Sequence, residues 1–239
     1  MTRKDDMLVA ARPVSREVAP FMTDTNAAAA GELTPTPTEC ALPRRFSDFA
    51  TVGEALEYAA SGTRGLNFHD PRGKLVRPYP YRELRDDAVQ TAYRLIAAGV
   101  KPGDRIALIA ETGAEFAALF FGTIYAGAWP VPLPLPTSFG GRDSYVGQLV
   151  VQLSSCDPTM LFFPPEIAAM AVEAAEQQNV APMDWTEFAA RPAPKTDLPE
   201  QKSDETCYLQ YSSGSTRFPH GVAVTHAALL NNLAAHSHG

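Results

Sequence analysis

Residues 212–216, near the C-terminal end of the sequence, combine four hydroxyl side chains with one glycine. Glycine lets the backbone adopt a positive φ and come close to a ligand, and consecutive N–H groups in such a turn form a concavity that binds anions. The serine and threonine hydroxyls add further hydrogen-bond donors. Because a hydrogen bond to a charged group contributes about 1.5–3 kcal/mol, two or three of them would hold a chain of phosphate groups. The segment is therefore a candidate phosphate-binding loop.

The sequence on either side of this segment predicts where it lies. Cys207–Tyr211 and Gly221–Thr225 are strand-like, and residues 226–235 have a helical composition. A serine-rich segment is also typical of a flexible surface linker, but strands on both sides would hold it at a sheet edge, where α/β proteins bind ligands. The segment is not a Walker loop, because the sequence contains no Gly-Lys-Ser or Gly-Lys-Thr.

Upstream of this segment, strand and helix patterns alternate along the chain. The predicted order is a helix over 81–98, a strand over 105–110, a helix over 112–126, a strand over 129–133, a helix over 142–155, a strand over 159–163 and a helix over 164–178. A Thr112/Glu115 capping box would open the second of these helices. The alternation predicts an α/β fold with a parallel or mixed sheet flanked by helices. A β-hairpin is predicted before it, from 65–69 and 74–76.

Charge and hydropathy exclude several classes of partner. The net charge is −7 and no basic run occurs, which argues against a nucleic-acid-binding surface. The first residues lack the apolar stretch of a signal peptide. Residues 116–141 are uncharged, but alternating prolines after Trp129 leave an apolar helix that is too short to span a bilayer. We therefore expect no integral membrane association.

The cysteines and the N-terminal composition bear on location and domain organisation. Cys40, Cys156 and Cys207 are far apart and outside any C-x-x-C spacing, which favours a reducing, cytoplasmic location and argues against a metal site. Residues 1–45 contain an alanine run and a Thr-Pro repeat with few large apolar residues. Such a stretch cannot offset its ordering entropy by burial, so we predict a disordered tail over 1–45 and a folded domain over 46–239.

The segment from Tyr211 to Val222 also matches a known signature. The matching positions are Tyr211, Ser213, Gly214, Ser215, Thr216, Pro219, Gly221 and Val222. With these residues the chain resembles the phosphate loop of the adenylate-forming (AMP-dependent synthetase/ligase) superfamily. Tyr125–Pro136 looks like a second signature segment of these enzymes, and Phe139–Leu149 is similar to the fatty acyl-AMP ligase branch. The resemblance covers residues 46–235 and implies part of the large N-terminal domain of such an enzyme.

The resemblance implies an acid–AMP ligase that uses ATP and Mg²⁺. These enzymes join a carboxylate to the α-phosphate of ATP, release pyrophosphate and pass the acyl group to an acceptor. For this branch it implies a fatty acid as substrate, an acyl carrier protein or a polyketide or peptide synthase as partner, and a place in lipid metabolism. The residues expected to contact the ATP phosphates are Ser212, Ser213, Gly214, Ser215, Thr216, Arg217, His220 and Gly221. His226 is a candidate either for the substrate side or for a helix start.

Two of these positions depart from the family pattern. Arg217 stands where members usually have glycine, and His220 where they have lysine or arginine. The lysine or arginine is usually taken to meet a phosphate, and a neutral imidazole is a poorer partner for phosphate at pH 7. We hypothesise that Arg217 supplies the missing positive charge.

The length of the sequence limits what the resemblance implies about activity. In this superfamily the adenine- and ribose-binding region, an acidic Mg²⁺ residue and a lid with a catalytic lysine all follow the phosphate loop. We therefore expect a partial adenylation domain, an N-terminal fragment without catalytic residues or metal ligands of its own and inactive alone. Two alternatives stay open: an acyl-CoA ligase or peptide-synthetase adenylation fragment, and a non-catalytic interaction module with this fold.

Overall fold

The structure is a computed structural model and describes residues 42–45, 48–136, 141–211 and 221–237. Residues 1–41 of the predicted tail, and residues 212–220 of the predicted phosphate-binding loop, lie outside the described residues. Contacts with the first helix begin before the predicted boundary at residue 45, because the Tyr58 hydroxyl donates to the carbonyl of Pro43 at 2.6 Å.

The main sheet has four parallel strands in the order β4–β3–β5–β6. These strands are β3 (Arg105–Ile109), β4 (Trp129–Leu133), β5 (Met160–Phe163) and β6 (Ala181–Asp184). Successive strands are connected by α3 (Ala114–Tyr125), α4 (Gly141–Cys156) and α5 (Ala168–Gln178), the last preceded by a 3₁₀ turn at Pro165–Ile167. The predicted α/β fold, with a parallel sheet flanked by helices, is confirmed.

The remaining elements precede or follow the strands of this sheet along the chain. They are α1 (Val52–Ala60), β1 (Gly65–His69), β2 (Leu75–Pro80), α2 (Tyr81–Ala97), α6 (Trp185–Ala189), β7 (Thr206–Tyr211), β8 (Gly221–Thr225) and α7 (His226–Ser237). Strands β1 and β2 form one antiparallel hairpin, and β7 and β8 form another. Each hairpin is a separate two-stranded sheet.

Several local predictions differ from the structure, among them the second hairpin strand, predicted over 74–76 and found at Leu75–Pro80. The Thr112/Glu115 capping box is wrong, because α3 begins at Ala114 after Gly113 and has no side-chain cap. The helix predicted from residue 164 begins instead as the 3₁₀ turn. Strand β6 and helix α6 were not predicted, since Pro182 is untypical of a strand interior; β6 lies at the sheet edge, where proline is tolerated.

Both faces of the four-stranded sheet are buried, as expected for a parallel sheet. Along β3, Ile106 and Leu108 pack with apolar residues of α2, α3 and α6. Ala107 and Ile109 point to the other face and pack with residues of α4 and α5. Among the described residues, no helix combines the length and the apolar character needed to cross a bilayer.

Strand β4 lies at the other edge of the sheet and carries prolines on its outer side. The Trp129 N–H donates to the Asp104 carbonyl, and the Leu133 carbonyl accepts from the Ala110 N–H, so the odd-numbered main-chain groups face β3. Backbone groups of neighbouring residues in a strand point in opposite directions. Pro130 and Pro132 therefore face the free edge, where the missing N–H leaves no ladder donor.

Helices α2 and α3 approach closely at Gly122, which generates a first prediction. A Cβ at position 122 would lie 2.5 Å from Thr91 Cβ and 2.8 Å from the Ala88 carbonyl oxygen. We expect Gly122→Ala to destabilise the fold by about 1–3 kcal/mol, because a backbone atom cannot move aside cheaply. Urea unfolding followed by circular dichroism measures the change.

The matched control is Gly147→Ala in the middle of α4, where a Cβ would meet no atom within 4 Å. This substitution should stabilise the protein by up to about 1 kcal/mol, because alanine favours a helix more than glycine does. Equal effects of the two substitutions would contradict the close approach at Gly122.

Candidate functional site

The predicted phosphate-binding segment is framed by the ends of β7 and β8. Tyr211 and Gly221 are the last paired residues of this hairpin. Residues 212–220 connect them, so the two ends of that connection are held opposite each other by strand pairing. The predicted contacts of Ser212, Ser213, Gly214, Ser215, Thr216, Arg217 and His220 with phosphate lie outside the described residues and stay predictions.

Tyr211 is anchored to the last turn of α4. Its hydroxyl donates to Ser155 Oγ at 3.0 Å, and its ring packs on the apolar cluster that includes Leu153 and Cys156. Burial raises the pKa of the Tyr211 hydroxyl above its ordinary value, while the hydrogen bond with Ser155 opposes that shift. The phenol is therefore neutral at physiological pH and acts as a hydrogen-bond donor.

Gly221 lies under the ring of Tyr211. A Cβ at position 221 would lie 3.3 Å from Tyr211 Cζ and 3.4 Å from its hydroxyl oxygen. Such distances are tighter than ordinary van der Waals contact, so a larger side chain would press on a ring that Ser155 holds in place. The glycine thus permits the close approach of the two strand ends.

The Tyr211 hydroxyl reaches the end of α4 near the amino-terminal ends of the parallel strands. Helix α4 ends at Cys156, and the Arg105 guanidinium at the start of β3 donates to the carbonyl of Asp157, the next residue. Ser155, and with it Tyr211, is therefore near the beginnings of β3 and β5. Ligands of parallel α/β sheets usually bind at the carboxyl ends of the strands. The predicted position of residues 212–220 at a sheet edge lies outside the described residues and stays a prediction.

His226 is the first residue of α7 and connects it to α1. Its side chain is 2% exposed, and its Nδ1 accepts a hydrogen bond from the Val52 N–H at 3.1 Å. Burial lowers the pKa of the imidazole, and the nearby Glu205 opposes this shift. The contact joins the start of α7 to the first residue of α1, and both roles left open for His226, at a helix start and on the substrate side, stay predictions.

The two described cysteines are buried thiols. Burial raises the pKa of Cys156 to about 11 and that of Cys207 to about 12. Among the residues that the structure describes, no group of three or more His, Cys, Asp or Glu side chains could hold a metal ion.

Ser155 is the residue of this region that sequence reasoning missed. It lies in a helix with an ordinary amphipathic pattern, 56 positions before Tyr211. Nothing in the local sequence signals that contact, since it depends on how the hairpin packs on α4.

Comparison with known proteins agrees with this architecture. Residues 71–239 match the family described as AMP-binding enzyme. The chain is 41% identical over 208 residues to a putative acyl-CoA synthetase of Caulobacter vibrioides, covering 84% of this chain and 35% of that protein. It is 32% identical over 203 residues to a long-chain-fatty-acid–AMP ligase of Mycobacterium marinum. That match covers 80% of this chain and 30% of the ligase. A structure from a study of fatty acyl-adenylate ligases from E. coli and L. pneumophila is 40% identical in sequence to this chain, and its TM-score is 0.78. The match covers 82% of this chain and 36% of that one.

The parallel sheet and the hairpin after it define the N-terminal part of an adenylate-forming enzyme. The chain belongs to the AMP-binding enzyme family, whose members are acid–AMP ligases. The resemblance to the fatty acyl-AMP ligase branch is confirmed by these relatives. The chain spans about a third of the length of the curated relatives it matches.

The buried imidazole of His226 predicts a pH dependence of stability. Its folded pKa lies below the ordinary value of 6.5. Above pH 6.5 the imidazole is neutral in both states; as the pH falls below 6.5 the unfolded chain takes up a proton that the folded chain does not, so stability is lost. The midpoint of urea unfolding should therefore decrease as the pH is lowered from 8 to 5.

The matched control is His226→Asn, whose side-chain oxygen can replace Nδ1 as acceptor for the Val52 N–H but does not titrate. Its loss of stability over the same pH range should be smaller than that of the wild type. Parallel pH profiles for the two proteins would show that His226 does not contribute.

Proposed function

We propose that the chain carries the phosphate-binding part of an ATP-dependent ligase that activates a fatty acid as acyl-AMP and delivers the acyl group to a carrier protein. The single observation that supports this most directly is the hairpin whose paired ends, Tyr211 and Gly221, frame residues 212–220. The similarity of more than four-fifths of the chain to a structure from work on fatty acyl-adenylate ligases supports the choice of acid. Residues 46–239 would be a partial adenylation domain following a tail over 1–45.

The proposed reaction requires the protein to position the carboxylate and ATP and to neutralise the charge of the phosphates. The fatty-acid carboxylate is itself the nucleophile; it attacks the α-phosphorus, and pyrophosphate leaves with the electron pair of the broken P–O bond. The proposed contacts hold the β- and γ-phosphates of the leaving group and come from Ser212, Ser213, Gly214, Ser215, Thr216, Arg217, His220 and Gly221. A Mg²⁺ ion supplies further charge neutralisation when bound, and it is ordinarily held by one or two carboxylates together with the phosphates.

Three observations bear on the acyl acceptor and on alternative functions. The relative from Caulobacter vibrioides is named as a putative acyl-CoA synthetase, which favours coenzyme A as the acyl acceptor. A hybrid polyketide–peptide synthetase of Aspergillus violaceofuscus is 30% identical over 195 residues, which favours a carrier domain as acceptor. The departures at Arg217 and His220 favour a non-catalytic interaction module that keeps the fold.

Titration with Mg²⁺–ATP tests the proposed function in the 239-residue chain. We expect saturable binding that pyrophosphate competes away, because the proposed contacts are to the phosphates. We expect no pyrophosphate release on adding a fatty acid, since the chain spans about a third of its relatives. Calorimetry measures the first and a coupled pyrophosphate assay the second.

Two results would contradict this view. Fatty-acid-dependent pyrophosphate release by the purified chain would show that it is active alone. Absence of nucleotide binding would favour the interaction module.

The charge hypothesis predicts opposite effects at two positions. Arg217→Ala should weaken Mg²⁺–ATP binding by about tenfold or more, because a hydrogen bond between charged groups is lost. His220→Lys should strengthen binding and should restore affinity when it is combined with Arg217→Ala. The same titration measures all three variants.

A matched control is Arg72→Ala, since Arg72 is an exposed arginine in the turn between β1 and β2. Arg72→Ala should bind Mg²⁺–ATP as the wild type does. If Arg217→Ala also binds Mg²⁺–ATP with wild-type affinity, Arg217 is not the phosphate partner.

A further inference from the structure

The last turn of α4 makes a polar contact with the strand that leads into the proposed phosphate-binding segment. Tyr211, the final residue of β7, donates its hydroxyl hydrogen to Ser155 Oγ at 3.0 Å. The residue after Ser155 is Cys156, whose buried side chain belongs to the apolar cluster on which the Tyr211 ring packs. The end of β7 is thus fixed to one turn of one helix, independently of its pairing with β8.

This contact bears on both ends of residues 212–220. Tyr211 is paired with Gly221 across the hairpin, and its ring lies within 3.3 Å of where a Cβ of Gly221 would be. A rotation of the Tyr211 ring would therefore disturb the first residue of β8 as well as the last residue of β7. A single hydroxyl–hydroxyl contact consequently constrains the two ends together.

The turn of α4 that supplies Ser155 is itself held in place. Arg105 donates from Nε and Nη2 to the Asp157 carbonyl, and Nη2 also lies 2.7 Å from the Asp157 carboxylate. Asp157 has φ +43°, a left-handed conformation that such contacts stabilise. Ser155 is therefore attached to a rigid turn between α4 and β5 rather than to a freely moving helix end.

A second polar group lies on the same face of α4. Gln152 precedes Ser155 and Cys156 by three and four positions, the spacing of neighbours on one helix face. Its side chain is 6% exposed, and its Oε1 has no hydrogen-bond partner among the described residues. Buried acceptors of this kind ordinarily have a partner. Gln152 Oε1 is thus a buried acceptor in the same part of α4 as Ser155.

From these observations we propose that Ser155 is a positioning residue for nucleotide binding. Through its hydrogen bond with Tyr211, which is paired with Gly221, it fixes the two residues that flank the proposed phosphate-binding segment. Ser155 itself does not contact the nucleotide. This inference rests on the proposed function, because it assigns a purpose to Ser155 only if residues 212–220 bind phosphate.

The test compares four variants by titration with Mg²⁺–ATP. Tyr211→Phe keeps the ring and removes the hydroxyl, and Ser155→Ala removes the acceptor from an exposed helix position that alanine suits. Each should weaken binding by about threefold to tenfold, the size expected for one neutral hydrogen bond. The double variant should bind no more weakly than the weaker single one, because both remove the same contact. Ser155→Thr keeps a hydroxyl and should restore affinity.

Two matched controls separate this role from general destabilisation. Ser154→Ala alters the neighbouring exposed serine, and Tyr208→Phe removes a hydroxyl that donates to Gln210 in its own strand. Both should bind Mg²⁺–ATP within about twofold of the wild type, and urea unfolding midpoints should be similar for all variants. Wild-type affinity in Ser155→Ala and Tyr211→Phe, or additive losses in the double variant, would overturn the proposal.

A second measurement does not depend on nucleotide. Amide hydrogen exchange in peptides covering residues 207–225 should be faster in Tyr211→Phe and Ser155→Ala than in Tyr208→Phe and Ser154→Ala. If the wild-type chain binds no Mg²⁺–ATP, the proposed function fails, while faster exchange in the first pair still supports Ser155 as the anchor of the hairpin. Unchanged exchange would overturn that anchoring as well.

Discussion

Proline cannot donate a main-chain hydrogen bond. The prolines of β4 therefore limit how a later strand, such as β7, can pair with the four-stranded sheet. Pro130 and Pro132 occupy the side of β4 that faces away from β3, so the four-stranded ladder has no N–H donors there to extend itself. Strand β7 packs near β4 but pairs with β8 instead. The hairpin is therefore held to the rest of the fold by side chains, which is why single contacts such as that of Tyr211 matter.

Side chains of β7 reach two different parts of the core. Tyr208 packs edge-on against Phe120 of α3, with ring centroids 5.8 Å apart, and Cys207 lies in the same cluster with Val52. Leu209 and Tyr211 pack instead with the residues of α4 and α5. His226, which directly follows β8, accepts from the Val52 N–H and ties this end of the hairpin to α1. The hairpin therefore contacts residues of α1, α3, α4 and α5.

Sequence periodicity was sufficient for the parallel sheet, because a buried strand such as Arg105–Ile109 and a helix such as Tyr81–Ala97 carry their own patterns. Local sequence signals were not sufficient to predict where each helix begins, because packing also determines that position. Thr112 and Glu115 have capping-box spacing, yet the helix starts at Ala114, where Arg77 is within 4.0 Å of Glu115. The resemblance located the candidate site at Tyr211–Gly221. The contact with Ser155 could not be predicted, since it joins residues 56 positions apart through the packing of a hairpin on a helix.

The buried thiols have a consequence for how this region responds to oxidants. With pKa values of about 11 and about 12, Cys156 and Cys207 are thiolates in only on the order of one molecule in ten thousand or fewer at pH 7. Sulfenic acid and mixed disulfides form from the thiolate at accessible positions. We therefore expect Cys207, in the stem of the hairpin, and the neighbouring Cys156 to react slowly with peroxide and disulfide reagents while the chain remains folded.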